Sequence, residues 1–158
     1  MIMALRFLTA VLVLSMPLAP VEAETYATRY GSLQTDDMNL LFFRGKPVRP
    51  RIEGINFLTF ERKFEFPGYD LVLIQDVGGT ACPAQFYIVK VSGHGAVGTR
   101  SFGSCSDIYQ VNRAGNGLEI RMGGFMGPSA TTIAHKRAAR QKFSYRYAAG
   151  RIIERQTR

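Results

Sequence analysis

The chain has 158 residues, 46% hydrophobic and 20% charged, with two cysteines and a net charge of +8. That length gives room for one domain with a single core. No cysteine precedes Cys82, so no lipid-bearing cysteine follows the leader described next.

Residues 1–23 read as an export signal. Arg6 supplies the positive start, Phe7 to Met16 the apolar stretch, Pro17 and Pro20 the helix breaks, and Val21-Glu22-Ala23 a small-residue cleavage site. The apolar run is about half of the ~20 residues that span a bilayer, which argues against a retained anchor. The expectation is a mature chain from Glu24, in the periplasm of a Gram-negative cell or released from it, without stable membrane insertion.

Turn signals then recur at short intervals: Gly45-Lys46-Pro47, Pro67-Gly68, Gly78-Gly79, Gly93-His94-Gly95, Gly115-Asn116-Gly117, Gly123-Gly124 and Ala149-Gly150. Runs rich in β-branched and aromatic residues lie between them, the pattern of an antiparallel all-β domain over residues 24–158. Leu58, Phe60, Phe64 and Phe66 share one parity, with Glu61, Lys63 and Glu65 on the other. Leu118, Ile120 and Met122 alternate with Glu119 and Arg121, and Phe143, Tyr145 and Tyr147 with Lys142, Ser144 and Arg146. Each reads as a strand with one face in the core and one in water. Leu71 to Ile74 and Phe86 to Val89 are apolar throughout and read as central strands covered on both faces. Ala130 to Arg140 has the Ala, Lys and Arg content of a helix, weakened by Thr131, Thr132 and Ile133; a short helix and an irregular crossing both fit. The expected fold is a small antiparallel sandwich or curled meander with one disulfide and at most one short helix.

Cys82 and Cys105 enclose a strand, a turn and a strand. If Val91 pairs with Ala96, the same register carries Cys82 opposite Cys105 at a non-hydrogen-bonded site, where α-carbons are close enough for a bridge. Pro83 makes that register conditional. No Cys-x-x-Cys is present, so the bridge reads as structural.

Candidate chemistry is sparse. Gly93-His94-Gly95-Ala96-Val97-Gly98 spells a dinucleotide fingerprint, but a strand follows it where a phosphate loop needs a helix. His94 at a hairpin tip lies far from Ser104, Ser106 and Asp107, which defeats a nucleophilic triad; Asp107 reads as an acceptor for turn amides. His94 and His135 lack metal-ligand spacing, and Glu61 and Glu65 share a face with Lys63, so no metal, cofactor or paired-carboxylate site is expected.

From His135 to Arg158, eight basic residues stand against Glu154 alone, so nearly all of the excess charge is local. The expected partner-binding residues are Lys136, Arg137, Arg140, Arg146, Arg151 and Arg155, steering the chain to an acidic protein or an anionic envelope component. A solvated, solubilising segment is the competing reading. Alternation sets Tyr145 and Tyr147 opposite the charges, so nucleic acid stacked on those rings is not expected.

Gly78-Gly79-Thr80-Ala81-Cys82-Pro83 and Phe102-Gly103-Ser104-Cys105-Ser106-Asp107 resemble the Gly-Gly-x-x-Cys-Pro and Phe-Gly-x-Cys-Ser-Asp pair of small exported Gram-negative β-domain proteins. The resemblance extends to the terminal Tyr-x-Ala-Ala-Gly-Arg hairpin. It implies fold and export and lends no catalytic residue. The functional expectation is a periplasmic, non-enzymatic binding protein of the inhibitor or immunity type. An envelope hydrolase acting on peptidoglycan and a structural accessory of a secretion or transfer machine are the rivals.

Overall fold

The computed structural model describes residues 24–157; the expected export signal lies outside them. The chain forms three antiparallel sheets. The first holds β1 (Thr25–Thr28), β2 (Gly31–Thr35), β3 (Leu41–Phe43) and β4 (Lys46–Pro47) in that order. The central sheet runs β5 (Phe57–Phe66), β6 (Tyr69–Val77), β7 (Ala84–Ser92) and β8 (Gly95–Gly98), and β9 (Phe102–Cys105) also pairs with β7. The third runs β10 (Tyr109–Ala114), β11 (Gly117–Gly123), β12 (Lys142–Ala148) and β13 (Arg151–Thr157). One helix, α1 (Thr132–Arg140), joins β11 to β12. The architecture is the all-β one expected, with one short helix and one disulfide.

The continuous apolar runs of β6 and β7 explain the layering, because such strands must be covered on both faces. Leu71, Leu73, Phe86 and Ile88 pack against Leu118, Ile120, Tyr145 and Tyr147 of the third sheet. Val72, Ile74, Val89 and Val91 pack against Leu33, Leu41, Phe43 and Ile52 on the other side. The molecule thus has two cores rather than the single one expected from chain length. Each fully buried aliphatic side chain contributes about 1.5–3 kcal/mol relative to exposure.

One strand serves both cores by changing face. Leu58 and Phe60 belong to the core under the first sheet, whereas Phe64 and Phe66 belong to the core under the third. A shift in register between Phe60↔Ile74 and Arg62↔Leu73 inserts one residue, and an insertion of one inverts the side-chain alternation. The expectation that these four residues share one face is therefore corrected: parity is conserved along β5, but the face is not.

Two buried carboxylates at opposite ends of β6 tie other parts of the chain to the central sheet, Asp70 the β1–β2 turn and Asp76 the segment before β5. Asp70 Oδ2 accepts the Arg29 amide at 2.9 Å, and Asp70 Oδ1 accepts Arg29 Nε at 2.7 Å. Asp76 Oδ1 accepts the Ile55 amide at 2.8 Å. Burial pushes the Asp76 carboxyl up, and the Ile55 amide only partly offsets it.

Cys82 and Cys105 are bonded, with α-carbons 4.6 Å apart. The hairpin tip has the expected Val91↔Ala96 pairing, but the register advances by one residue at Phe86↔Phe102 and by another at Ala84↔Cys105. Cys82 consequently lies in the loop before β7 and is not a ladder partner of Cys105. The chain leaves the β7 ladder between β8 and β9, where Thr99 Oγ1 accepts the Ile88 amide at 3.1 Å. Gly103, at φ +135°, supplies backbone geometry that other residues rarely adopt.

The helix forms because its poor formers sit at its start. Thr131 is the N-cap, its Oγ1 accepting the Ala134 amide at 3.2 Å, which is the favoured use of that side chain. Arg137 and Arg140 occupy the last turn, where cations oppose the negative end of the helix dipole.

Candidate functional site

Paired residues in an antiparallel ladder share a face, so the register of the third sheet settles which side chains meet. Leu118, Ile120, Tyr145 and Tyr147 point into the core; burial raises the Tyr145 hydroxyl to about 12 and also raises that of Tyr147. The opposite face carries the rows Gln110–Arg121–Ser144–Arg155 and Asn112–Glu119–Arg146–Ile153, flanked by Lys142 and by Arg151 opposite Ala148. Arg121, Lys142, Arg146, Arg151 and Arg155 are all exposed. Glu154, the acid within the basic run, pairs with Tyr145 and so belongs to the inward rows.

Glu119 is the carboxylate of the outer face. It accepts Ser144 Oγ at 3.0 Å and pairs with Arg121 Nη2 at 2.8 Å. The Ser144 hydrogen bond, followed by Arg121 and the charge of Arg146, holds its carboxyl below the usual range. Among the described residues, no carboxylate lies within ion-pair distance of Lys142, Arg146, Arg151 or Arg155. Their charge faces solvent.

The face ends at β13, the outermost strand of its sheet. A cleft of about 680 Å³ separates Arg151–Glu154 from the Thr99–Phe102 crossing, with Arg100, Arg151 and Glu154 among its lining residues. Charged residues on an outer strand discourage indiscriminate edge pairing while leaving its backbone groups available.

Of the residues expected to bind a partner, Arg146, Arg151 and Arg155 are brought together on this face. Lys136, Arg137 and Arg140 are exposed on α1 and take no part in the ladder. Sequence reasoning missed Arg121 as a member of the cationic surface and left Lys142 out of the site. The outward parity of Arg121 was readable in β11, but only the β11–β12 pairing shows which strand it joins.

The other candidate groups are occupied or apart. Ser104 Oγ donates to the Gly123 carbonyl at 2.6 Å, and the buried Ser106 Oγ accepts the Ile108 amide at 3.2 Å. Ser106 therefore fills the turn role expected of Asp107, whose side chain is exposed. His94 sits at the β7–β8 tip, roughly 25 Å along the strands from those serines at ~3.3 Å per residue. Glu61 accepts the Tyr109 hydroxyl at 2.7 Å and Glu65 pairs with Lys63 at 3.1 Å. Burial, then that bond to Glu61, raises the Tyr109 hydroxyl. Among the described residues no three His, Cys, Asp or Glu side chains are grouped to hold a metal, and no helix is long and apolar enough to cross a membrane.

No protein-family model, curated protein or solved structure matches this chain.

Proposed function

We propose that the chain is a non-enzymatic periplasmic binding protein, exported through residues 1–23, that recognises an acidic protein with the outer face and edge of its third sheet. The observation that carries this reading is Arg121, Lys142, Arg146, Arg151 and Arg155 on one exposed face, with Glu119 as the opposing charge. A face of this kind raises the encounter rate with an acidic surface and disfavours basic ones. Two features support a rigid docking surface rather than an adaptable one. Tyr145 and Tyr147 anchor the back of the same strands in the core, and the Cys82–Cys105 bond ties down the region from which β10 departs. Preordered surfaces lose less entropy on association. The most concrete form is an inhibitor or immunity-type cap on an enzyme or toxin.

The test is affinity capture from a periplasmic extract with the native chain and with Arg146→Glu/Arg155→Glu. The expected result is one dominant acidic protein held by the native chain and absent from the variant. Equal capture by both chains overturns the assignment of this face; capture of a polyanionic envelope component instead of a protein changes the partner class.

A further inference from the structure

A second cationic site lies away from the third sheet, where the β3–β4 and β7–β8 hairpins end side by side. A cleft of about 650 Å³ opens between them, floored by Phe43 and Val48 and rimmed by Arg44, Lys46, Arg49 and His94. No carboxylate lines it. Its walls are tied together: Gly98 donates its amide to the Arg49 carbonyl at 2.9 Å, and Arg49 bridges to Val97. Arg44 and Gly45 are both left-handed, at φ 49° and 72°, as the tightest hairpin turn requires. The Arg44 guanidinium lies 5.2 Å from the centre of the Phe43 ring and also donates to the Tyr30 carbonyl. A side chain added at Gly93 or Gly95, both of which line the cleft, would meet nothing within 4 Å, so the space in front of them is open.

We propose that this cleft binds a phosphoryl group. Three permanent cations and a histidine without an opposing acid call for a ligand of more than one negative charge. A phosphomonoester or diphosphate brings about −1.5 to −2 per phosphate and three acceptor oxygens, whereas a carboxylate brings one charge. The Gly93–Gly98 run thus meets phosphate at a hairpin tip, by charge and open space, and not at a helix N-terminus. The site is independent of the acidic-protein reading.

The experiment follows amide signals of the isotope-labelled protein during titration with inorganic pyrophosphate. In parallel it measures sedimentation with phosphatidylcholine vesicles, with and without phosphatidic acid. Saturable shifts at Gly45, Gly93 and Gly95, weakened about tenfold or more by Lys46→Gln/Arg49→Gln, are expected, since each substitution removes a charge-assisted contact to the phosphoryl oxygens. Gly93→Asp, which fits the open space and puts a carboxylate on the rim, should abolish binding with the fold intact. Arg151→Glu/Arg155→Glu should leave it unchanged. Pyrophosphate binding identifies a soluble phosphate source; binding of phosphatidate vesicles alone identifies a lipid headgroup. Saturable binding of neither probe overturns the proposal, as does binding that survives both cleft variants or follows the third-sheet charges.

Discussion

Arg29 wraps the buried carboxylate of Asp70 with its own backbone and side chain at once, its amide 2.9 Å from Oδ2 and its Nε 2.7 Å from Oδ1. Its Nη2 reaches on to the Phe66 and Tyr69 carbonyls at 2.6 and 2.8 Å. The turn between β1 and β2 is thereby locked onto the turn between β5 and β6. Asp70→Ala should cost about 1–3 kcal/mol, the range for leaving donors without their acceptor. Arg29→Ala should be more damaging, because it leaves a buried carboxylate without its cation. The double variant should lose less than the two single losses combined. Denaturant melts of the four chains check this, and strict additivity would deny the coupling.

Cys82→Ser should cost about 2–5 kcal/mol, the usual range for a native disulfide in a small secreted domain. The bond holds the loop before β7 to the end of β9, at the point where the register has already slipped by two residues. Reductant should lower the melting temperature of the native chain and leave Cys82→Ser unmoved; a native melt indifferent to reductant contradicts this.

Burial raises the Asp76 carboxyl above its ordinary value of 3.8. The folded state therefore binds its proton more tightly than the unfolded state does. The favourable contribution is complete below the unfolded value and is lost as pH rises through the folded one. Asp76→Asn keeps an oxygen for the Ile55 amide and removes the titration. Its stability relative to the native chain should rise between pH ~3.5 and pH ~7. Paired melts at those two pH values decide it, and a difference that stays flat or falls with pH counts against the burial argument.

Tyr145 and Arg146 are sequence neighbours on opposite faces of β12. Tyr145→Ala should cost about 3–5 kcal/mol, as for other large aromatic truncations in cores. Arg146→Ala should stay within about 0.5 kcal/mol, the usual limit for an exposed position. Equal effects in thermal melts would mean that the assigned faces are wrong.

The all-β class, the two-sided burial of Leu71–Ile74 and Phe86–Val89, and the inward Tyr145 and Tyr147 were legible because alternation and continuous apolar runs report burial directly. What alternation does not report is an inserted residue. Phe60 and Phe64 have the same parity, yet the bulge between Phe60 and Arg62 sends them to different cores. The same kind of slip, near Gly103, displaced Cys82 from the ladder although Cys105 was its bonded partner. In the candidate site, Arg151 and Arg155 were visible as part of a charge run. Arg121 was not, since it joins them only through pairing of β11 to β12 and β12 to β13. Thr131 shows why the helix was ambiguous: its low helix propensity becomes an advantage once it is the cap.

The cationic face of the third sheet is proposed to steer an acidic protein partner. The most direct measurement of that steering is the association rate of the captured partner as a function of salt, for the native chain and for Arg151→Glu/Arg155→Glu. The on-rate should fall steeply as the Debye length shrinks to ~10 Å near 0.1 M salt. Charge reversal should slow association about tenfold or more while the off-rate stays nearly the same. An on-rate indifferent to both salt and reversal would contradict the proposal.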